Sequence, residues 1–206
     1  MKLFLTSSNN FVTKDLIKHL DTDPSEIKLT FIPTASEVEK GDLQWLKDDR
    51  QALIDVGFQV TDFTLTNKKS DEVSAMLNKT DFVFVSGGNT FYLLQEMRKS
   101  GFDKLIIPFL KKGGLYGGSS AGSEVAGPDI SIIELLDDPA LAPELEDNKG
   151  LELTDISVFP HWGSEHFHKR YEKVMQSGYK KGLKVILLTD DQYLLCEDNK
   201  YTIESI

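Results

Sequence analysis

Short runs of largely apolar, strand-forming residues alternate with segments of helical periodicity along most of this chain of 206 residues. Residues 3–5, 28–32, 82–85, 156–159 and 185–188 form such runs, and helix-like segments separate them. Strands that are apolar along their whole length are buried on both faces, and the intervening helices supply the cover. The pattern therefore predicts an α/β fold of three layers, a mostly parallel sheet with helices on both faces, ending in a C-terminal antiparallel hairpin.

The composition is that of a globular protein, with 40% hydrophobic and 27% charged residues. No internal repeat or linker interrupts the pattern, so a single domain over residues 1–206 is predicted. The formal net charge of −10 argues against binding to nucleic acid or to an anionic membrane. The apolar runs are too short to span a bilayer, the N-terminus leads directly into a strand, and Cys196 is the single cysteine. These features predict a cytoplasmic protein.

Residues 118–122, Gly-Ser-Ser-Ala-Gly, fit the pattern Gly-x-Ser-x-Gly, in which a serine occupies a strained turn between a strand and a helix. The flanking glycines are needed because side chains would clash where the backbone doubles back. An extended run precedes the motif, and small residues suited to helix–sheet packing follow it. Ser120 at the centre is therefore the candidate nucleophile, with Ser119 as a neighbour that points elsewhere. A plain glycine–serine turn is the alternative.

A serine hydroxyl needs a base within hydrogen-bond reach, and His161 is the base that the sequence favours. It follows the apolar run 156–159 and a proline, at the carboxyl end of a predicted strand, where parallel sheets place their ligands. His19 lies among charged residues, and His166 and His168 lie in a charged helical stretch, so these three are predicted to be solvated. The alternative for His161 is a strand-end histidine that caps the sheet.

No metal and no cofactor are predicted. On a helix, residues 166 and 168 point to different faces, so the histidines around Glu165 lack the spacing of a zinc site. Residues 87–90, Gly-Gly-Asn-Thr, match neither the Gly-x-Gly-x-x-Gly pattern nor the Walker phosphate loop.

The same glycine turn predicts an oxyanion site. Because Gly88 has no side chain, its amide can approach a tetrahedral intermediate closely, and the amide of Ala121, next after the nucleophile, supplies a second donor. Asn89 is counted with them as a candidate substrate-binding residue. The alternative is a turn that caps the following helix, with Asn89 or Thr90 as the N-cap.

The carboxylate that would orient the histidine is ambiguous in the sequence. Two candidates follow the apolar run 185–188, and three lie in the acidic stretch 131–149, which is predicted to be a long surface loop; they are Asp190, Asp191, Glu134, Asp137 and Asp138. A strand end holds a carboxylate more rigidly than a loop, and Asp190 would share the sheet edge of His161. Asp190 is therefore favoured, while solvation or helix capping is the alternative for each of the five.

Taken together, residues 86–91 (Ser-Gly-Gly-Asn-Thr-Phe), 118–122 and 160–162 (Pro-His-Trp) resemble the peptidase E family. Its members are serine dipeptidases that cleave after an N-terminal aspartate, and cyanophycinases are related to them. The resemblance covers most of the chain and implies a flavodoxin-like α/β fold similar to the class I glutamine amidotransferase domain. It also implies that Ser120 is the nucleophile and His161 the general base.

The acidic residue and the substrate preference transfer less directly from the family. One family position, an aspartate in the loop after the elbow, is a leucine here with Glu134 beside it. The other, after the penultimate strand, corresponds to Asp190, which is favoured over Glu134. The arginine that selects aspartate in the family has an apolar counterpart around Phe167, although Lys169 and Arg170 are close by.

These features predict a serine peptidase that hydrolyses small peptides through an acyl-enzyme on Ser120, with N-terminal Asp-X dipeptides as the substrates that the resemblance suggests. The alternative is a non-catalytic protein that binds a small molecule or peptide on the same fold. An α/β-hydrolase esterase has the chain order serine, acid, histidine, whereas Asp190 follows His161. A small peptide is the predicted partner, and the protein is predicted to be a monomer or a homodimer.

Overall fold

The computed structural model describes residues 1–165, 168–198 and 200–206. Strands and helices alternate along most of its length, with short 3-10 turns between several of them. The elements are β1 (Lys2–Thr6), α1 (Asn9–Leu16), β2 (Lys28–Ile32), α2 (Gln44–Asp55), β3 (Gln59–Asp62), α3 (Ser70–Leu77), β4 (Phe82–Val85), α4 (Thr90–Ser100), α5 (Phe102–Lys111), β5 (Leu115–Ser119), α6 (Ala121–Glu124), β6 (Ile156–Phe159), α7 (Tyr171–Lys181), β7 (Lys184–Leu187), β8 (Gln192–Glu197) and β9 (Lys200–Ser205).

A seven-stranded main sheet runs in the order β3-β2-β4-β5-β1-β8-β9. Strands β3, β2, β4, β5 and β1 are parallel, whereas β8 pairs antiparallel with β1, and β9 pairs antiparallel with β8. The α/β fold with a mostly parallel sheet and a C-terminal antiparallel hairpin is therefore confirmed.

Both faces of the main sheet are covered, as the uninterrupted apolar strands predict. Along β4, Val83 and Val85 pack into one hydrophobic cluster, while Phe82 and Phe84 pack into another on the opposite face. This alternation follows from the period of two in a strand, and it buries successive side chains against helices on different sides.

Strands β6 and β7 form a second, two-stranded parallel sheet and do not extend the main one. The prediction of one sheet that includes the runs 156–159 and 185–188 is therefore wrong for these two strands. The reason is that both edges of β1 are occupied, by β5 on one side and by the antiparallel strand β8 on the other. The pairing of Phe159 with Leu187 still places the carboxyl ends of β6 and β7 side by side.

The acidic stretch 131–149 is more ordered than the surface loop expected from its charge. It contains 3-10 turns at Ser131–Leu135 and Pro139–Leu141. Ile132 and Ile133 are each only 1% exposed and pack into the main hydrophobic cluster, so the apolar pair anchors the segment. Within the described residues, no helix has both the length and the apolar character needed to cross a membrane.

Candidate active site

Ser120 lies in the turn between β5 and α6, in a conformation that non-glycine residues rarely adopt, with φ +48° and ψ −111°. Its main-chain N–H donates to the carbonyl of Thr6 at 3.1 Å, which ties the turn to the end of β1. The flanking glycines permit this approach. A Cβ at Gly118 would lie 2.4 Å from the Gly122 carbonyl carbon, and a Cβ at Gly122 would lie 2.2 Å from the carbonyl oxygen of Val85. The serine thus occupies the strained elbow that the motif predicts.

His161 follows β6 and also has a positive φ, +56°. Its carbonyl accepts a 2.7 Å hydrogen bond from the Tyr171 hydroxyl, and the N–H of the next residue, Trp162, donates to Leu188 O at 2.9 Å. The Trp162 and Tyr171 rings stack with centroids 4.2 Å apart. These contacts from α7 and the end of β7 hold the backbone turn that aims the imidazole.

The His161 ring joins a hydroxyl on one side to a carboxylate on the other. Nε2 lies 3.1 Å from Ser120 Oγ, and Nδ1 lies 2.7 Å from Asp190 Oδ1. Because an ionised carboxylate can only accept a hydrogen bond, Nδ1 carries the proton in the neutral ring and Nε2 is left as the acceptor for the serine proton. This is the tautomer that a general base requires.

The structure brings Asp190, and not Glu134, to the histidine. The Asp190 pKa is held below its usual value chiefly by the hydrogen bond from His161, with a further contribution from Ser7. Glu134 is exposed and accepts a 2.8 Å hydrogen bond from the side chain of Asn148. The carboxylate at the strand end is therefore the one that can orient the imidazole.

Two main-chain donors are available near the nucleophile. The Gly88 N–H and the Ala121 N–H find no acceptor among the residues that the structure describes. Gly88 has φ +129°, and a Cβ there would lie 2.2 Å from the carbonyl oxygen of Ala35. Only glycine fits this position without displacing the loop. Both predicted oxyanion donors thus remain candidates.

Asn89 is placed differently from its predicted role in substrate binding. Its N–H donates to Ala35 O at 2.8 Å, and its side-chain Oδ1 accepts from the Tyr92 N–H at 2.9 Å, the bond of an N-cap. The side-chain amide donates to Asp138 O at 3.1 Å. With these groups committed to the chain and the residue 2% exposed, Asn89 caps α4 and is not placed to contact substrate.

Ser120 and His161 open into a cavity of about 310 Å³. Trp45 supplies an aromatic wall, and the other side chains are mainly polar or acidic. The cavity is lined by Ser7, Ser8, Glu39, Trp45, Asp49, Gly87, Gly88, Ser119, Ser120, Asp137 and His161. A larger cavity of about 690 Å³ lies against β3 and α3, but its lining brings no nucleophile and base together.

Asp49 is a buried carboxylate beneath the elbow. One oxygen accepts from Ser119 Oγ at 2.7 Å, and the other accepts from the Asn10 N–H at 2.8 Å. Burial raises its pKa to about 6, although both hydrogen bonds act in the opposite direction. Ser119 thus points away from the reaction centre, as predicted, and fixes the elbow to α2.

A second buried acidic group lies at the N-terminus of α4. The Thr90 hydroxyl is 2.5 Å from Glu124 Oε2 and 2.6 Å from Asp137 Oδ2. A hydroxyl has one proton to donate, so one of the two carboxyl groups must itself carry a proton. Complete burial raises the pKa of Glu124 well above its usual value, whereas Asp137 also accepts the Thr90 N–H at 2.8 Å. Burial raises the pKa of Asp137 as well, but two hydrogen bonds from Thr90 oppose that shift, so the proton is assigned to Glu124.

Ser7 is the contact residue that the sequence analysis missed. It directly follows β1 and is fully buried. Its hydroxyl donates to Asp190 Oδ1 at 2.8 Å and accepts the His161 N–H at 2.7 Å. A signal was available, because Ser7 stands at the carboxyl end of a predicted parallel strand, as the other candidates do.

The remaining predicted residues that the structure describes do not join the site. Within the described part of the chain, no group of three or more metal-ligating side chains could hold an ion. Lys169 and Arg170 are exposed in a 3-10 turn before α7. His166 and Phe167 lie outside the described residues.

An α/β sheet that carries a serine on a strand-to-helix elbow, with a histidine and an aspartate aligned behind it, has the fold and site of a serine hydrolase. Comparison with known proteins then identifies the family. A sequence model of peptidase family S51 matches residues 3–204, so the chain belongs to this family. It is a serine-type peptidase, and the resemblance to peptidase E is confirmed.

Individual relatives support the same assignment. An uncharacterized peptidase of Listeria innocua is 35% identical over 198 residues, which cover 96% of this chain and 93% of the relative. Peptidase E of Salmonella typhi is 30% identical over 167 residues, covering 79% of this chain and 69% of the relative. A crystal structure of a candidate peptidase E protein from Listeria monocytogenes superposes with a TM-score of 0.92 at 30% identity, covering 100% of this chain and 98% of that one.

Proposed function

We propose that the protein hydrolyses small peptides, as a dipeptidase does, through an acyl-enzyme on Ser120. His161 Nε2 takes the hydroxyl proton while Ser120 Oγ bonds to the peptide carbonyl carbon. The oxyanion that forms accepts hydrogen bonds from the N–H groups of Gly88 and Ala121. His161 then gives its proton to the leaving amine, the C–N bond breaks, and water hydrolyses the ester by the same proton route in reverse.

The observation that carries this proposal is the unbroken alignment Ser120 Oγ–His161–Asp190, with contacts of 3.1 and 2.7 Å. A binding protein without catalytic function has no need of a base within reach of the serine or of a carboxylate behind the imidazole. The alternative of a non-catalytic binder on this fold therefore receives no support from the geometry.

The cavity supports a small substrate. Its volume of about 310 Å³ lies at the lower end of the range for small-molecule sites, roughly 300–1,000 Å³. We propose a ligand of dipeptide size, in accord with the name peptidase E that relatives carry. Cytoplasmic location and a monomeric or homodimeric state remain part of the same proposal.

The charge of the cavity bears on the first residue of the substrate. Glu39, Asp49 and Asp137 line it, and among the described residues no lysine or arginine does. Such a wall favours a free N-terminal ammonium group and opposes an acidic side chain. We therefore propose that peptides with a neutral first residue are preferred to Asp-X peptides. The Asp-X preference implied by the resemblance is the alternative, and it requires Lys169 or Arg170 to reach the substrate.

A dipeptide panel with purified protein tests both parts of the proposal. Ala-X and Leu-X should be hydrolysed faster than Asp-X by the unsubstituted enzyme. Ser120→Ala should lower kcat by at least about 10⁴-fold without loss of fold, because the nucleophile is removed from the cavity surface. Faster hydrolysis of Asp-X would overturn the charge argument alone, while an active Ser120→Ala protein would overturn the mechanism.

A further inference from the structure

Nucleophile and base lie on different sheets. Ser120 follows β5 of the main sheet, whereas His161 follows β6 of the two-stranded sheet, and Asp190 lies in the loop that leads from β7 of that sheet to β8 of the main one. The 3.1 Å contact between Ser120 Oγ and His161 Nε2 therefore crosses from one sheet to the other. Reaction rates fall steeply when such a contact is displaced by about 1 Å, so its register needs a fixed connection.

Ser7 lies where that connection is needed. It follows β1, the main-sheet neighbour of β5, and the elbow is bonded to the same strand end through Ser120 N–H and Thr6 O. From there the Ser7 side chain reaches the backbone of His161, beyond β6 of the smaller sheet, at 2.7 Å, and the carboxylate of Asp190, in the loop between β7 and β8, at 2.8 Å.

The hydrogen-bond directions around Ser7 are determined by its neighbours. The main-chain N–H of His161 can only donate, so Ser7 Oγ accepts it. The single hydroxyl proton goes to Asp190 Oδ1, because the other nearby atom, His161 Nδ1 at 3.4 Å, is itself a donor in the base-competent tautomer. Asp190 Oδ1 thus accepts both the imidazole N–H and the Ser7 hydroxyl.

On this geometry we propose that Ser7 is a positioning residue for the reaction, one that joins the main sheet to the histidine–aspartate segments and shares the charge of Asp190. The inference rests on the proposed function and adds a residue to it. Ser7 acts in two ways. It fixes the position of the imidazole relative to Ser120, and its hydrogen bond to Asp190 reduces the electrostatic stabilisation that this carboxylate gives to the imidazolium formed during catalysis.

The effect on the interaction between Asp190 and the imidazolium distinguishes a positioning role of Ser7 from a purely structural one. Without the Ser7 donor, the Asp190 charge acts more strongly on His161, which then holds its proton to higher pH. The acidic limb of the pH profile of kcat/KM should move upward. The other carboxylates whose charges act on His161, Asp49 and Asp137, are unchanged in such a variant and cannot produce the shift.

Ser7→Ala and Ser7→Cys provide the test, with kcat, KM and kcat/KM measured across pH on a neutral dipeptide. Ser7→Cys keeps the shape of the side chain but donates weakly, so it reports on the bond even where Ser7→Ala folds poorly. In each variant kcat should fall roughly 10- to 100-fold with little change in KM, as expected for loss of a hydrogen bond to a charged group. The acidic limb should move to higher pH in both variants.

Ser100→Ala is the matched control. It removes an equally buried hydroxyl whose bond, 3.2 Å to Met97 O, lies within its own helix, and its rate and pH profile should match the unsubstituted enzyme. A Ser7→Cys enzyme with an unshifted acidic limb, or with unchanged kcat, would overturn the inference. Ser120→Ala distinguishes a failure of this inference from a failure of the proposed function. If Ser120→Ala is inactive while the Ser7 variants behave like the unsubstituted enzyme, only the inference about Ser7 is overturned.

Discussion

Two residues of the site, Ser120 and His161, have left-handed backbone conformations, which cost of order 1–3 kcal/mol for a residue with a side chain. Each is held by hydrogen bonds from neighbouring elements, Ser120 by Thr6 and His161 by Ser7 and Tyr171. Such strain persists only where the surroundings enforce it. In this protein the enforced conformations are those that bring the hydroxyl and the imidazole within 3.1 Å.

At the same scale, Asp190→Asn tests the orientation of the imidazole. The asparagine amide can donate to Nδ1 and so favour the wrong tautomer, and we expect kcat to fall about 10⁴-fold. Because the Asp190 pKa lies below its usual value, the carboxylate is ionised throughout the neutral range and its contribution is lost only in acid.

Glu134→Gln is the matched control for that substitution, since its carboxylate contacts Asn148 outside the site. Steady-state kinetics on a dipeptide compare the two variants. Equal losses, or a larger loss at Glu134, would contradict the assignment of the orienting carboxylate to Asp190.

Among the elements, the turn between β4 and α4 carries Gly88, the proposed oxyanion donor, which lines the same cavity as Ser120. Gly88→Ala adds a Cβ that would lie 2.2 Å from Ala35 O, at a φ of +129°. We expect a loss of roughly 2–4 kcal/mol in the free energy of unfolding and a fall in kcat as the amide is displaced.

Gly41→Ala separates the effect of backbone conformation from that of the close approach. Gly41 also has a positive φ, +101°, but nothing lies within 4 Å of its added Cβ. In denaturant unfolding, Gly41→Ala should lower the free energy of unfolding by about 1 kcal/mol, which is less than the decrease expected for Gly88→Ala. Similar losses at the two positions would mean that the contact with Ala35 does not constrain the turn.

Elements were predicted from sequence more readily than their assembly. Ser120 could be singled out by its Gly-x-Ser-x-Gly motif, and His161 and Asp190 because each follows an apolar run; these signals are local. The separate sheet of β6 and β7 could not be predicted from the sequence. An apolar run indicates a buried strand but not its pairing partner, and in the structure β8 occupies the position beside β1. Ser7 shares the strand-end position of the other candidates but carries no motif, and its role depends on that assembly.

For the molecule as a whole, the buried Asp49 predicts a pH dependence of stability. Its pKa rises from 3.8 to about 6 on folding, so between these values the folded protein binds a proton that the unfolded chain has released. Stability contributed by Asp49 is therefore greatest below this window and is lost as pH rises through it, by up to about 3 kcal/mol.

Urea unfolding across the same pH range checks this expectation. Asp49→Asn should remove this pH dependence. The free energy of unfolding of the variant should therefore rise relative to that of the unsubstituted protein as pH rises toward neutrality. Asp55→Asn, at an exposed carboxylate of the same helix whose charge does not act on Asp49, should leave the dependence in place. A pH dependence that is identical with and without Asp49 would show that this carboxylate titrates normally.

Covalent labelling with a fluorophosphonate, mapped by mass spectrometry, tests the central claim most directly, because the reagent reacts with a serine activated by a base. A single adduct is expected on Ser120, retained in Ser119→Ala and lost in Ser120→Ala. An adduct on any other residue, or a folded protein that takes up no label, would contradict the assignment of Ser120 as the nucleophile of a peptidase.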